Sequence, residues 1–401
     1  MTGPSMMPSR VLYVGPSGQI GGGERSLLGL LAAIDRQRYL PLVAAPEGPF
    51  GRCVEALGIR CLPLELPAGL ERMSLRGQRP RLLAIPGAVA GARLYFRALH
   101  DHIAKCQPHI IHANGIKPDI FAAFVGRRRR IPVVWHVRDF LGSGLWERLI
   151  AAVGRRHAAR VIANSEAVGD CLRRLGIQEN LQVIPTGVDL DRFSPRLDGH
   201  RFRQELGLAD KAKLVGLIAH LTPWKGQDIF LRAAALVRQQ QPLTHFVLVG
   251  DEIYRTAGHG GFRQALQRIV EECGLEGAVT FAGFREGIPE ILAAFDLSVH
   301  ASVNPEPFGR AILEAMAMGK AVVATLGGGA PEVLGPTGRA GLLVPPGDAT
   351  AMSQAILELL GDPSRRASMG AAGRHRAEAL FDIRTHGAQV CSLYDDLRRV
   401  S

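Results

Sequence analysis

Short apolar runs alternate with longer segments of helical spacing along most of the 401-residue chain. A short apolar or β-branched run predicts a strand, and apolar residues that recur every three or four positions predict an amphipathic helix. In the first half the pattern predicts strands at residues 11–15, 41–45, 60–63, 110–113, 133–137, 161–163 and 183–184, and helices at residues 24–34, 82–104, 145–156 and 166–175.

The second half repeats this order of elements. Alternation of strand and helix predicts parallel sheets with helices on both faces. Continuous apolar strands such as Leu214-Val215-Gly216-Leu217-Ile218 are typical of sheets buried on both sides. The predicted strands are residues 214–219, 245–250, 279–282, 297–300, 321–324 and 341–344, and the predicted helices are residues 227–238, 261–273, 289–294, 309–317, 349–360 and 383–400.

A segment rich in Pro, Gly and Asp at residues 185–196 interrupts the alternation and has the composition of a linker. We therefore expect two Rossmann-like α/β domains, residues 1–192 and residues 193–380. A C-terminal helix, residues 381–401, is expected to pack back toward the first domain. Two such sheets facing one another would form a central cleft at the carboxyl ends of their strands, where open α/β folds bind ligands.

The composition is that of an ordinary globular protein, with 47% hydrophobic and 21% charged residues. It excludes a disordered, collagen-like or coiled-coil chain. No run approaches the ~18 apolar residues of a membrane span, and residues 1–10 contain no apolar signal-peptide region. The six cysteines are scattered without a C-x-x-C pair, so we expect reduced thiols in a cytoplasmic protein and no zinc site.

The basic excess lies in the first half of the chain. Residues 1–195 hold 26 Lys+Arg and 15 Asp+Glu, residues 196–401 hold 22 of each, and the net charge is 48 − 37 = +11. Much of the excess falls between Arg72 and Arg97 and in the arginine run at 127–130. Such a face attracts phosphate groups, although a solvated arginine-rich face has the same composition. Because no nucleic-acid-binding motif is present, we expect no nucleic-acid partner.

Two glutamates flank a predicted helix start after the strand at 297–300. Glu306 precedes the helix, Pro307 favours its first turn, and Glu314 lies about two turns further on. Both carboxylates would lean toward one side, about 12 Å apart along the axis if both were helical. This spacing suits a ligand with hydroxyls at both ends and a phosphate bridge between them, although an isolated pair of this spacing is more often two surface glutamates. The amides that would point at such a bridge from the helix N-terminus are those of Phe308, Gly309 and Arg310.

Glycines and basic residues stand at other helix starts and strand ends. Gly21, Gly22 and Gly23 precede a helix, where glycine lets the backbone come close to a phosphate, but a flexible loop is the alternative. Their spacing does not match a nicotinamide-binding G-x-G-x-x-G, and the chain has no Walker A motif. Lys225 opens a helix after one strand, and His136 ends another; a solvated lysine and a core histidine are the alternatives.

The segment from Glu306 to Gly319 resembles the E-x7-E signature of the retaining GT-B glycosyltransferases, family 4. Five further segments are similar to motifs of that family, and all six occur in the family's order over about residues 11–360. The five are Gly21-Gly22-Gly23-Glu24-Arg25, Trp135-His136-Val137-Arg138-Asp139, Val161-Ile162-Ala163-Asn164-Ser165, Pro185-Thr186-Gly187-Val188-Asp189 and Leu221-Thr222-Pro223-Trp224-Lys225-Gly226.

The resemblance implies the GT-B fold, α/β with two facing Rossmann-like domains, and sugar transfer from a nucleotide-diphosphate donor with retention of configuration. It implies that Glu314 binds the ribose hydroxyls and Glu306 the hexose hydroxyls, while Lys225 and the Gly21 to Gly23 loop hold the diphosphate. His220 stands where the family has an arginine, and would assist Lys225.

His136 would face the donor sugar, and Phe284 would offer backbone contacts to the base, again by resemblance. The catalytic set is then His136, Lys225 and Glu306. The remaining substrate-binding residues are Gly21, Gly22, Gly23, His220, Phe284, Phe308, Gly309, Arg310 and Glu314. His112 is a weaker functional candidate, and Asn114 and Lys117 beside it could touch the acceptor. Asp189-Leu190-Asp191 spells D-x-D but has the composition of a turn, so we expect no metal and no cofactor besides the donor.

We therefore predict a hexosyltransferase that acts on a saccharide or lipid-linked acceptor in cell-envelope or extracellular polysaccharide synthesis. The basic first half predicts peripheral contact with an anionic membrane, at the inner face of the plasma membrane. Two alternatives remain: another GT-B nucleotide-sugar enzyme such as an epimerase, and a non-catalytic binder of nucleotide sugars.

Overall fold

The computed structural model describes residues 7–67, 85–209, 211–252 and 261–400. The chain forms two compact units. Unit 1 combines Met1–Gly187 with Ile383–Ser401, and unit 2 is Val188–Asp382. The chain therefore leaves unit 1 within the predicted linker and returns to it for the last helix. Residues 72–84 of the basic stretch, and the start of the helix predicted at 82–104, lie outside the described residues.

Unit 1 contains a seven-stranded parallel sheet within its described residues, in the order β3-β2-β1-β4-β5-β6-β7. Its central strands are buried along their whole length, because helices cover both faces. The strands are β1 (Ser9–Val14), β2 (Tyr39–Ala45), β3 (Cys61–Pro63), β4 (Ile110–Asn114), β5 (Val133–Val137), β6 (Arg160–Ala163) and β7 (Leu181–Val183).

The helices of unit 1 connect these strands. The largest fully buried side chain is Trp135 on β5, which is part of the core on one face of the sheet. The helices are α1 (Gly22–Ala33), α2 (Pro49–Ala56), α3 (Ile85–Cys106), α4 (Ile116–Arg129), α5 (Leu145–His157) and α6 (Glu166–Arg174).

Unit 2 contains a six-stranded parallel sheet within its described residues, in the order β10-β9-β8-β11-β12-β13. Strands β8 and β11 are neighbours at the centre, so the segments that follow them start from the same edge of the sheet. The strands are β8 (Lys213–Ile218), β9 (Thr244–Val249), β10 (Val279–Gly283), β11 (Leu297–His300), β12 (Val322–Thr325) and β13 (Leu342–Val344).

Helices cover both faces of the second sheet, and a short 3₁₀ turn at Pro223–Lys225 follows β8. The helices are α7 (His200–Glu205), α8 (Gln227–Gln240), α9 (Phe262–Glu272), α10 (Ile288–Ala294), α11 (Arg310–Ala317), α12 (Ala330–Leu334), α13 (Ala349–Gly361) and α14 (Pro363–Leu380).

The last helix, α15 (Ile383–Val400), belongs to unit 1. Its apolar residues Val390, Leu393 and Tyr394 join the core beneath β1 and α1. No helix among the described residues combines the length and the apolar character that crossing a membrane requires.

Every predicted strand coincides with an observed strand to within two residues at each end. Among the described residues, five helices were not predicted: α2, α4, α7, α12 and α14. The suggestion that Pro307 forms the first turn of a helix is wrong, because α11 begins at Arg310 and Gly309 caps it with a φ of +96°.

Candidate functional site

A lysine and a glutamate distant in sequence form an ion pair at the carboxyl edge of the unit 2 sheet. The amine of Lys225, just after β8, contacts the Oε1 atom of Glu306, in the loop that follows β11. The Lys225 amine also lies 4.0 Å above the centre of the Trp224 ring, a cation–π contact. Because β8 and β11 are adjacent, the sheet itself brings the two loops together.

Gly226 permits the close approach of these two loops. It has a φ of +67°, and a Cβ atom here would lie 2.0 Å from the carbonyl oxygen of Ala301. The amide of Val303 donates to the carbonyl of Trp224 at 2.9 Å, which joins the loops directly. Glycine is therefore required at this position for Lys225 to reach Glu306.

Glu306 is only 8% exposed and its Oε1 atom is surrounded by donors. The Ser302 hydroxyl donates to this atom at 2.9 Å, and His300 Nε2 lies 3.2 Å from it. The Thr325 hydroxyl at the end of β12 donates to the Ser302 carbonyl at 2.7 Å. Three neighbouring strands thus contribute to one buried carboxylate site.

The Glu306 carboxylate is ionised. Burial acts to raise its pKa, but the hydrogen bond from His300 and the positive charge of Lys225 together lower the pKa below its ordinary value. The pKa of His220 is lowered, first by burial and then by the charge of Lys225. Near pH 7, His220 is therefore a neutral neighbour of the ion pair, unlike the arginine that the family resemblance places there.

A triple-glycine turn supports the backbone of Glu306. The amide of Gly329 donates to the Glu306 carbonyl at 2.9 Å. Gly328 has a φ of +58°, and a Cβ atom on it would lie 1.9 Å from that same carbonyl oxygen. No role was predicted from the sequence for His300, Ser302 or Gly328. The position of His300 at the end of a buried strand, like that of His136, was the signal available.

Helix α11 carries the second glutamate of the motif. Glu314 is largely buried and its carboxylate pairs with the guanidinium of Arg310, four residues earlier. Phe308 is buried in the unit 2 core with its ring edge-on to Phe381, 5.8 Å between centroids. The Phe308 side chain therefore packs in the protein interior, which leaves its backbone for ligand contact. Phe284 is exposed and follows Gly283 at the end of β10.

The Gly21 to Gly23 segment begins helix α1 in unit 1. Gly22 and Gly23 are the first two helical residues, and a Cβ atom on either would meet nothing within 4 Å. Gly21 is the N-cap, and its amide donates to the Glu24 carboxylate at 3.0 Å. Burial raises the pKa of Glu24. The protein's own packing therefore does not require glycine at positions 22 and 23.

His136 lies in a buried polar cluster at the carboxyl edge of the unit 1 sheet. Its Nδ1 atom is 3.1 Å from both His112 Nε2 and an Arg138 amine. Burial, followed by the charge of Arg138, lowers the pKa of both histidines well below the ordinary value. His386 on α15 donates from Nδ1 to the Pro185 carbonyl at 2.7 Å, and burial lowers its pKa to about 4.

The D-x-D segment forms a turn. The Asp189 carboxylate accepts from the amides of Asp191 at 3.1 Å and Arg192 at 3.0 Å, which is the hydrogen bonding of an Asx turn. Among the described residues, no group of three or more His, Cys, Asp or Glu side chains has a geometry that could hold a metal ion.

Two α/β units, each built on a parallel sheet, are the architecture of a GT-B glycosyltransferase, and one of these units holds a largely buried Lys–Glu pair at its strand ends, ahead of the E-x7-E helix. Residues 20–192 match the family model Glycosyltransferase Family 4, and residues 198–376 match the model Glycosyl transferases group 1. The crystal structure of Anabaena Alr3699/HepE in complex with UDP and glucose is 30% identical in sequence and aligns with a TM-score of 0.81, over 96% of this chain and 99% of that one. The chain belongs to the group 1 glycosyltransferases.

Other relatives support this placement. A GDP-mannose-dependent alpha-(1-6)-phosphatidylinositol monomannoside mannosyltransferase from Mycolicibacterium smegmatis is 36% identical over 234 residues, which cover 54% of this chain and 57% of that protein. The lipopolysaccharide core biosynthesis mannosyltransferase LpsB of Rhizobium meliloti is 32% identical over 218 residues, 54% of this chain and 61% of that protein. The chain thus spans somewhat more than half the length of the curated relatives it matches. Sucrose-phosphate synthase from Thermosynechococcus elongatus, at 23% identity and a TM-score of 0.77, shares the fold.

Proposed function

We propose that this protein is a retaining, metal-independent hexosyltransferase. It would move a hexosyl unit from a nucleotide-diphosphate sugar to a saccharide or lipid-linked acceptor, in cell-envelope or extracellular polysaccharide synthesis. The observation that carries the proposal is the largely buried ion pair of Lys225 and Glu306 at the carboxyl ends of β8 and β11. A fixed cation beside a fixed carboxylate suits a ligand in which a diphosphate adjoins a polyhydroxylated ring.

Unit 2 would hold the donor. The Lys225 amine has three donors, so it can keep Glu306 and also bind the diphosphate, with neutral His220 as a further hydrogen-bonding group. The Glu306 carboxylate, ionised and held by Ser302, would accept from hexose hydroxyls. Glu314 would accept from the ribose hydroxyls, and the backbone of Phe284 would contact the base. The amides of Phe308, Gly309 and Arg310, at the start of α11, would add partial positive charge near the phosphates.

We assign a front-face reaction to this site. The bond from the anomeric carbon to the diphosphate breaks, the acceptor oxygen bonds to that carbon from the same face, and a leaving phosphate oxygen takes the acceptor proton. Lys225 stabilises the charge that develops on the diphosphate. Proton NMR of the first product should show the donor's anomeric configuration, and the rate should be unchanged in EDTA.

Binding of a nucleotide-sugar donor is the most direct test of the proposal. In a thermal-shift panel of UDP-, GDP- and ADP-sugars, one nucleotide series should raise the Tm by roughly 5 °C or more at a hundredfold excess over Kd, since such an excess stabilises by about 2.7 kcal/mol. In the wild-type protein the nucleotide sugar should raise the Tm more than the nucleotide alone does. In Glu306→Ala the two ligands should raise the Tm by the same amount, because the contact with the sugar is lost and the contacts with the nucleotide remain. If no member of the panel stabilises the protein, the proposal fails.

The glycines at the start of α1 should matter for ligand binding and not for folding. We expect Gly22→Ala to leave the free energy of unfolding unchanged or to raise it by up to about 1 kcal/mol, because alanine favours helix and meets open space. We expect the donor Kd to rise about tenfold, because the methyl group would occupy space that the family resemblance gives to the donor's diphosphate. Gly361→Ala, also in open space in a helix, is the control for both measurements. If Gly22→Ala bound the donor with unaltered affinity, the Gly21 to Gly23 loop would not be part of the donor-binding site.

We further propose that unit 1 contacts an anionic membrane through helix α5, which places the protein in the cytoplasm at the inner face of the plasma membrane. The buried face of α5 carries Ile150 and Ala151, yet its outer face is also apolar: Leu145 is 73% exposed and Trp146 is 55% exposed. Arginines flank this outer face and continue on the adjoining end of α4, namely Arg127, Arg128, Arg129, Arg148, Arg155 and Arg156. An apolar ridge with a tryptophan and flanking arginines is the composition of an interfacial helix.

Liposome flotation should detect this contact. The protein should float with vesicles that contain anionic lipid and not with neutral vesicles, and Trp146→Ser should reduce the bound fraction several-fold because an apolar ring is lost from the bilayer. The control is Leu243→Ser, which removes a 69% exposed leucine from unit 2. Equal flotation of the two variants, or flotation independent of anionic lipid, would count against the membrane and favour a soluble acceptor.

A further inference from the structure

A chain of buried polar groups in unit 1 connects the C-terminal helix to His136. The Tyr394 hydroxyl on α15 lies 3.0 Å from the Tyr13 hydroxyl and 2.5 Å from His112 Nδ1. The other ring nitrogen of His112 lies 3.1 Å from His136 Nδ1. All four side chains are buried, and the Tyr13 and His112 rings stack with 5.0 Å between centroids.

The direction of each hydrogen bond in this chain follows from Arg138. A guanidinium only donates, and one of its amines lies 3.1 Å from His136 Nδ1, so this nitrogen is an acceptor and carries no proton. His112 Nε2, which faces the same nitrogen, must then be the donor. In a neutral His112 the remaining Nδ1 is an acceptor, and the Tyr394 hydroxyl donates to it. The Tyr13 hydroxyl, 3.0 Å from the Tyr394 hydroxyl, closes the chain at its other end.

The free end of the chain is the Nε2 atom of His136. Because Nδ1 accepts, a neutral His136 carries its proton on Nε2. This atom is buried and has no hydrogen-bond partner among the described residues. A buried N–H group without a partner is costly, so a ligand group that accepts a hydrogen bond from it would be favoured.

We propose that Tyr394 and His112 are positioning residues, which hold His136 as a neutral imidazole protonated on Nε2 so that it donates to a substrate hydroxyl. The role of His136 toward substrate rests on the proposed function, but its tautomer does not. Burial and the charge of Arg138 oppose a second proton on either histidine, which agrees with this assignment. Through Tyr394, the last helix of the chain then helps to position His136, in addition to packing in the unit 1 core.

Nitrogen-15 NMR of the histidine rings in the full-length protein tests the tautomer directly. His136→Gln and His112→Gln identify the two signals by their loss. At pH 7 both rings should be neutral, with the proton on Nε2 alone. A proton on His136 Nδ1, a cationic ring, or a mixture of both tautomers in the wild-type protein would overturn the proposal.

Hydroxyl deletion tests the positioning role. Tyr394→Phe should introduce the second tautomer at His112 and lower kcat/KM about tenfold, the effect of one lost hydrogen bond. Tyr39→Phe is the matched control, since its hydroxyl also binds α15, at Asp395, without reaching His112. His112→Gln keeps an N–H group near the same position and should retain most of the activity, whereas His112→Leu should not.

The results of these experiments distinguish failure of the positioning role from failure of the proposed function. Identical tautomers and rates in Tyr394→Phe and Tyr39→Phe would refute the positioning role. If the tautomers behave as expected but the wild-type protein transfers no sugar from any donor, the hydrogen-bonded chain stands and the proposed function fails.

Discussion

Glu306→Gln should lower kcat by about 10²- to 10³-fold, the effect of removing one preorganised charged group from a transfer site. The substitution keeps the shape of the side chain and removes its charge. The amide would still meet Ser302, but Lys225 would lose its anionic partner, and a group on the hexose would lose a strong acceptor. Initial rates at saturating donor and acceptor measure the effect.

Breaking the same pair should destabilise unit 2 strongly. Lys225→Met leaves a buried carboxylate without its cation, which costs about 3–5 kcal/mol, and the loss of the lysine charge raises the pKa of Glu306 relative to the wild-type protein. The double variant Lys225→Met/Glu306→Leu removes both charges and should recover most of that stability while remaining inactive. Urea unfolding of the two variants separates folding from catalysis. Equal stability of the single and double variants would mean that the two charges do not interact.

A surface ion pair provides the comparison. Arg173 and Asp170 are 2.6 Å apart at an exposed site on α6. Asp170→Asn should change the free energy of unfolding by less than about 1 kcal/mol, because water screens an exposed pair, and it should leave the rate unchanged. If Asp170→Asn and Glu306→Gln had similar effects, burial would not be what gives the Lys225–Glu306 pair its strength.

The pH dependence has a definite sign. The pKa of Glu306 is lower in the folded protein than the ordinary value of about 4.3. Its stabilising contribution is therefore fully present above that ordinary value and is lost as the pH falls below it. The difference in unfolding free energy between wild type and Glu306→Gln should be constant from about pH 7 to pH 5 and shrink below about pH 4. A difference that grew in acid would mean that the carboxyl is protonated in the native state.

The strands were predictable because most of them are short runs of buried, apolar residues, as at the centre of β8. Helix α14 was not, since its packing depends on small residues. Gly370 lies so close to the backbone that an added Cβ would be 2.0 Å from the Gly319 carbonyl oxygen. A helix held by close backbone contact has no broad apolar stripe, so hydrophobic spacing gives little sign of it. Helix α4 was obscured by Pro118 in its first turn and by its arginine-rich end.

The sequence identified both members of the Lys225–Glu306 pair but could not show that they touch. Their contact depends on the adjacency of β8 and β11 and on Gly226, features of three-dimensional packing. The contacts of His300 and Ser302 with Glu306 likewise depend on three-dimensional packing, which the sequence does not show. Tyr394 was harder still to predict, because nothing in the pattern of a C-terminal helix reveals that its one tyrosine is buried and reaches His112.

Gly328→Ala should destabilise unit 2 by about 3–5 kcal/mol and abolish most of the activity. Alanine at a φ of +58° carries the strain of left-handed backbone, about 1–2 kcal/mol. Its methyl group would also lie 1.9 Å from the Glu306 carbonyl oxygen, so the backbone of Glu306 or of the turn must move. Either shift withdraws the Glu306 carboxylate from Ser302 and Lys225. Thermal unfolding should register a fall of roughly 10 °C.

Gly274→Ala distinguishes the two causes. Gly274 has nearly the same φ, +60°, but a Cβ atom there meets nothing within 4 Å. This variant should therefore show the strain alone, about 1–2 kcal/mol, with full transferase activity. The excess loss in Gly328→Ala measures the contact with Glu306. Should the two variants lose the same stability and Gly328→Ala keep its rate, the triple-glycine turn would not be what holds Glu306 in place, and the hydrogen bonds from Ser302 and Lys225 alone would have to do so.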